Sequence, residues 1–253
     1  MGSTPKIAFV DIETSPILMT SWTQRPPYAG AVWVERDTYI LCFAVRWSDR
    51  RRTVTYALPD YKRYKRDRHD DKDLCRDLFD VLDRADIVVA HNGDAFDIKK
   101  INSRLATHNF KPPSPFKTLD TLKLARRVFK FDSNKLDNLG RYLGEGRKIP
   151  NTGAPLWRGC VDGDERSWRI MRRYNAKDVD LLVNVYERLK AWAPNHPDLR
   201  LYRENPIRRI VCPTCQSGNV QRRGFRVALK RRYERFQCQG CGAWFSGHMI
   251  RAA

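Results

Sequence analysis

The sequence predicts a mixed α/β domain, a sheet flanked by helices, followed by a small metal-stapled module. Three observations carry this. Segments of strong β formers come first, and a strand–helix alternation follows them. Four of the seven cysteines are gathered in two close pairs near the carboxyl end. The 253 residues are 42% hydrophobic, enough for one large core plus a small appendage.

Taken in order, Ile7 to Val10 reads as a buried strand that runs into Asp11 and Glu13. Ser15 to Gly30 contains Pro16, Pro26 and Pro27 and is expected to be an irregular connection. Tyr39 to Trp47 and Thr53 to Leu58 read as strands, paired as a hairpin across Ser48 to Arg52. Leu74, Leu78, Phe79 and Leu82 recur at helical spacing, and Ile87 to Ala90 is a short apolar strand suited to a sheet interior. The turn Asn92-Gly93 feeds a helix through about Thr107. Lys117 to Asp120 predicts a short strand, and Thr121 to Phe129 a helix. Ser133 is the expected N-cap of a helix carrying Leu136, Leu139 and Leu143 and stopped by Gly144. Lys148 to Asp164 is expected to be a loop, and Glu165 to Trp192 one or two helices. Residues 1–193 form the expected main domain, 194–206 a proline-marked linker, and 207–253 the terminal module.

The formal net charge is +19. A chain this basic usually meets a polyanion, most often nucleic acid. An anionic membrane is the weaker alternative, because no long apolar run or basic amphipathic helix is present. The amino terminus lacks a basic-then-apolar signal pattern, so an intracellular location is expected. From residue 206 onward there are ten Lys or Arg and one acid, Glu234, so positive charge is concentrated in the tail.

Asp11 and Glu13 stand at i and i+2 on a strand and therefore point to one face. Two adjacent carboxylates repel, and burial raises the cost, unless a cation lies between them. Asp97 sits a few residues past a strand end, where sites in open α/β sheets gather. Tyr174 and Asp178 are i and i+4 on one helix face. Each feature alone also suits an ordinary solvated acid or a half-buried tyrosine.

Together, Asp-x-Glu on the first strand, Asn-Gly-x-x-Phe-Asp after a later strand and Tyr-x-x-x-Asp on a late helix resemble the DEDD superfamily of 3′–5′ exonucleases. The likeness spans roughly residues 5 to 192. It is to the tyrosine subclass, since the histidine subclass places His where this chain has Arg173. Asp120 to Arg126 and Ser133 to Lys148 look like the proofreading domain of family-B DNA polymerases. The resemblance implies an RNase H-like core and two Mg²⁺ or Mn²⁺ ions about 3.5–4 Å apart. It implies that Asp11 bridges both ions, Glu13 and Asp178 hold the ion carrying the nucleophilic water, and Asp97 serves the leaving-group ion. Tyr174 would orient the water. Asn92 and Phe96 would touch terminal nucleotides, although Phe96 also suits a core position. DNA is the favoured substrate, as a single-stranded 3′ end, with RNA open.

Cys212, Cys215, Cys238 and Cys241 form two Cys-x-x-Cys knuckles 22 residues apart, spacing that suits one structural Zn²⁺. Arg226 to Leu229 and Tyr233 to Gln237 would be strands of a zinc ribbon. Arg222, Arg223, Arg226, Lys230, Arg231, Arg232 and Arg235 interleave with Phe225, Tyr233 and Phe236. That mixture fits phosphate contact and base stacking, and a protein-docking ribbon is its alternative. The expected activity is a metal-dependent 3′–5′ exonuclease. Its rivals are an RNase H-fold endonuclease or recombinase-like nuclease, and a non-catalytic nucleic-acid adaptor.

Overall fold

The computed structural model describes residues 4–22, 31–203 and 209–250. Its central sheet grows from β1 (Ile7–Thr14). A separate hairpin follows, β2 (Leu18–Ser21) against β3 (Ala31–Arg36). Next come β4 (Ile40–Trp47), β5 (Val54–Ala57), α1 (Lys72–Arg84), β6 (Ile87–Ala90), α2 (Asp97–Thr107) and β7 (Lys117–Asp120). Four further helices are α3 (Thr121–Val128), α4 (Leu136–Leu143), α5 (Ala154–Asp162) and the 25-residue α6 (Glu165–Leu189). The sheet order is β5-β4-β1-β6-β7. β1, β4 and β5 pair antiparallel, whereas β6 and β7 run parallel to β1. The fold is the mixed α/β sheet flanked by helices that the sequence predicts.

The alternation of β1 positions the site. Ala8, Val10 and Ile12 enter the core cluster that holds Leu74, Leu78 and Leu82 of α1 and Ile101 and Leu105 of α2. Ile7 and Phe9 point the other way, into the cluster with Leu139, Val179, Leu182 and Tyr186. Asp11 and Glu13 continue this second set, so both carboxylates face α6.

Three differences from the sequence reading have local causes. The stretch expected to be irregular from Ser15 contains β2, whose partner β3 lies beyond the prolines, so the pairing is not visible locally. The loop expected from Lys148 contains α5, with Pro155 in its first turn and Gly163 at φ 86° as a left-handed end. Its buried Leu156 and Cys160, at i and i+4, are the overlooked signal. Ser133 does not cap α4. Lys135 holds the extended N-cap geometry, and the Ser133 hydroxyl accepts from the Lys135 N–H at 3.4 Å, ahead of the helix. Gly144 does end α4, at φ 71°.

The terminal module is a three-stranded sheet of β8 (Val220–Ala228), β9 (Arg231–Cys238) and β10 (Trp244–Ile250). The two expected ribbon strands are longer than the sequence suggested, because their antiparallel pairing continues across the exposed polar run Gln221 to Arg223 and a register shift before Phe225. In the stretch expected to be a linker, Leu199 is buried against the main core and its N–H donates to the Pro213 carbonyl at 2.8 Å. Pro206 lies outside the described residues. Ala191, just past α6, packs on the cysteine cluster.

Candidate functional site

Three elements meet at one point. The end of β1 brings Asp11 and Glu13, the first turn of α2 brings Asp97, and the inner face of α6 brings Tyr174 and Asp178. Asp11, Glu13 and Asp178 offer carboxylate oxygens that all lie within 4.8 Å of one another. Asp97 joins from the side. Its buried carboxylate accepts the Ile12 N–H at 3.2 Å, which ties α2 to the strand between the two β1 acids. Tyr174 is 9% exposed, and Trp157 of α5 meets its ring edge-on at 6.0 Å.

The carboxylates are held where charge is costly. Burial, then Asp97, Glu13 and Asp178, raise the Asp11 pKa well above the ordinary carboxylate range. Burial, with Asp178, pushes Glu13 up to about 8. Burial pushes Asp97 up to about 6, although the Ile12 N–H works against this. Asp178 is also raised by burial, and Lys148 opposes that shift. The Lys148 ammonium lies 2.5 Å from Asp178 and 3.2 Å from the Tyr174 hydroxyl. Burial alone would depress this lysine, but Asp178 beside it raises its pKa. One ammonium does not balance four carboxylates. The second oxygen of Asp178, Oδ1, is buried with no hydrogen-bond partner among the described residues. Hard oxygens, excess negative charge and an unused buried acceptor fit a divalent cation.

The sequence reading missed two contributors, Asn175 and Trp157, and gave a third, Lys148, no role. Asn175, fully buried, donates through its Nδ2 to the Asp11 carboxylate at 2.7 Å and to the Asp11 carbonyl at 3.2 Å. Its spacing of three residues from Asp178 was the available signal. The Trp157 side chain hydrogen-bonds Glu13 from α5, an element expected to be a loop. Lys148 enters from the chain between α4 and α5, with its own N–H fixed by Asp137 at 2.8 Å.

Asn92 and Phe96 occupy the turn into α2. Asn92 has φ 69°, and its N–H is held by Asp120 at 3.0 Å. Asp120 also caps α3 through Leu122 and Lys123. Phe96 is 38% exposed, so it is not a core residue. A cleft of about 620 Å³ opens beside this turn, walled by His91, Asn92, Arg126, Asn134 and Lys148.

In the terminal module, Cys212 and Cys241 sulfurs are 3.7 Å apart, and Cys215 and Cys238 sulfurs 3.6 Å. A tetrahedral ion with metal–sulfur bonds near 2.3 Å needs an edge of about 3.8 Å, so the four thiols fit one. Burial opposes ionisation of Cys238, but the N–H groups of Cys241 and Gly240 pull its thiol down to about 7. The cations of this module divide in two. Arg222 pairs with Glu234 at 3.0 Å, Arg235 donates to the Arg223 carbonyl, and Arg226 reaches the Ser246 hydroxyl at 3.4 Å. Arg232 lies on the Phe225 ring at 3.7 Å. Arg223, Lys230 and Arg231 are exposed, with no ion pair among the described residues. A further group, Asp71, Cys75 and His108, also converges. There Arg104 and His108 already occupy the Asp71 oxygens, which makes it a bracket between α1 and α2.

The model of the RNase H superfamily matches residues 31–190. The match includes Asn92, Phe96, Asp97, Tyr174 and Asp178 and begins after β1. A Frog virus 3 (isolate Goorha) protein named "Putative DNA polymerase 060R" is 34% identical over 74 residues, covering 29% of this chain and 7% of that protein. The family B DNA polymerase of the hyperthermophilic archaeon Pyrobaculum calidifontis superposes with a TM-score of 0.56 at 15% identity, over 75% of this chain and 25% of the polymerase. At that identity the likeness is one of fold. This chain therefore spans a small part of the length of either protein. Among the described residues, no helix is long and apolar enough to cross a membrane.

Proposed function

Because the chain belongs to the RNase H superfamily, we propose that it is a nuclease of the 3′–5′ exonuclease kind, acting on single-stranded 3′ ends with DNA favoured over RNA. The observation that carries the reading is the convergence of Asp11, Glu13 and Asp178 within 4.8 Å, with Asp97 and Tyr174 beside them. Two divalent ions, Mg²⁺ or Mn²⁺, would be held by Asp11, Glu13, Asp97 and Asp178. When bound, such a pair lowers the pKa of a water and stabilises charge on the attacking and leaving oxygens of a phosphodiester.

The chain's own residues position these events. Asn175 holds the Asp11 carboxylate in one orientation, and the Ile12 N–H does the same for Asp97. Burial, then Asp178, raise the Tyr174 phenol above its ordinary pKa, so it stays protonated at neutral pH. It therefore suits orienting a water through its hydroxyl rather than removing a proton. Lys148 donates to Tyr174 and Asp178 and fixes both on the same side of the cluster. Asn92 walls the cleft where a terminal nucleotide would lie, and the exposed Phe96 ring belongs to the same turn.

The terminal module is read as a ribbon around one structural Zn²⁺ that grips phosphates through Arg223, Lys230 and Arg231. Residues 1–193 would then hold the catalytic domain and 207–253 the ribbon.

Digestion of single strands labelled at either end, in DNA and RNA form and with Mn²⁺, tests this reading. Mononucleotides released first from the 3′ end, and lost in Asp11→Ala, are expected. Internal fragments would move the assignment to an endonuclease. No metal-dependent cleavage of any polymer would leave a nucleic-acid adaptor.

A further inference from the structure

Away from the carboxylate cluster, four aromatic rings form a continuous strip next to the cysteine knuckles. Phe129 and Phe131 stack at 5.1 Å, and Phe131 and Tyr142 at 5.9 Å. Trp192 meets Phe129 edge-on at 5.6 Å. The ends of the strip are open to solvent, with Tyr142 39% and Trp192 62% exposed. The Arg141 guanidinium covers the Tyr142 ring at 4.4 Å. Phe129, Phe131 and Trp192 wall a cleft of about 680 Å³ whose far side is Cys215, Gly240 and Cys241.

The strip also borders the cleft beside Asn92, which meets the carboxylate cluster through Lys148. The chain from 129 to 136 has Phe129 and Phe131 in the knuckle cleft and Asp132 to Leu136 in the cleft that holds Asn92 and Lys148. The charge along this route is positive and free of ion pairs. Arg126, Lys130, Lys135 and Arg141 have no ion pair among the described residues. The neighbouring acids are occupied: Asp132 accepts from the Tyr142 hydroxyl, Asp137 holds Arg147, Glu145 holds Arg188 and Glu187 holds Lys190. The exposed Trp192 ring and the Arg141-covered Tyr142 ring, beside cations that hold no ion pair, match a polymer of bases on a phosphate backbone.

We propose that this strip is a stacking track for single-stranded nucleic acid, leading from the cleft beside Asn92 and Lys148 past Tyr142 and Arg141 to Trp192 beside the ribbon. The track rests on the nuclease reading only for which end of the strand lies at the carboxylates. It binds DNA and RNA strands alike, because base faces and phosphates are common to both.

Fluorescence anisotropy of labelled dT20, rU20 and a 20-base-pair duplex tests it, using the full chain with its zinc and no added Mg²⁺ or Mn²⁺. Tyr142→Ala and Trp192→Ala should each weaken binding of both single strands at least about fivefold, the weak end of what one base–aromatic stack contributes. Trp192→Phe, which keeps a ring, should retain most of the affinity. Duplex binding should change less than twofold. Unchanged single-strand affinity in both alanine variants, or equal losses for duplex and single strand, would overturn the track. Cleavage is scored separately with Mn²⁺. A chain that cleaves but whose affinity ignores Tyr142 and Trp192 loses the track alone. A chain that binds through them and cleaves nothing loses the nuclease reading alone.

Discussion

Replacing Asn175 with alanine should separate positioning from folding at the carboxylate cluster. The Asn175 amide is the one side chain among the described residues that hydrogen-bonds the Asp11 carboxylate, at 2.7 Å. A hydrogen bond to a charged group contributes about 1.5–3 kcal/mol. If that energy serves the transition state, its loss lowers the cleavage rate about ten- to hundredfold, at 1.36 kcal/mol per decade. Stability responds differently, because two effects oppose each other. The variant loses the bond to Asp11, but it also removes the Asn175 Oδ1, a buried acceptor with no partner among the described residues. An unsatisfied buried acceptor costs about 1–3 kcal/mol. The net change is then within about 2 kcal/mol, or a melting shift under about 8 °C for a chain of this size. The assay is mononucleotide release at saturating strand across a Mn²⁺ titration, with a melt of the same preparation. Weaker apparent metal affinity should accompany the slower rate. Activity within threefold of the parent would refute the positioning argument. A melting drop well beyond 10 °C would show that Asn175 serves packing instead.

Two further predictions concern charge and metal. Glu13 and Asp97 have folded-state pKa values raised to about 8 and about 6, so the folded chain binds protons that the unfolded chain has released. Without added Mg²⁺ or Mn²⁺, the stability these groups contribute is fully present below pH 4 and falls as pH rises to about 8. Saturating Mn²⁺ should flatten this slope by holding the carboxylates ionised, and melts at pH 5, 6, 7 and 8 with equal slopes in both conditions would refute it. If the ribbon holds the proposed zinc, metal analysis should find one ion per chain, and Cys241→Ser should release it and weaken single-strand binding with a shallower salt dependence. Full zinc retention, or an unchanged salt slope, would count against the ribbon's assignment.

The acids were legible in the sequence because strand and helix periods are short-range. Asp11 and Glu13 share a face by the two-residue period of β1, and Tyr174 and Asp178 share one by the helical turn of α6. The same locality made most core elements readable, from Ile40–Trp47 to the long helix that begins at Glu165. The cysteine knuckles were equally plain, since their spacing is a local requirement of one tetrahedral centre. Local pattern failed where partners lie far apart in the chain. The β2–β3 pairing spans the intervening prolines, and α5 is a short helix with a weak apolar face, stabilised by packing on α6.

By itself, then, the sequence determined which acids and thiols the chain carries and which of them share an element. Only the tertiary structure decided what surrounds them. It put Lys148 on Asp178, Asn175 on Asp11 and Trp157 on Glu13, contacts that span 30 to 164 residues in the first two cases. It also closed the cysteine knuckles against the end of α6 and left Tyr142 and Trp192 open beside them. The physical reason is that side-chain periodicity is set by backbone geometry within a few residues. Burial, charge balance and the direction of a pKa shift depend on every element that packs around a group, and no local pattern encodes that sum.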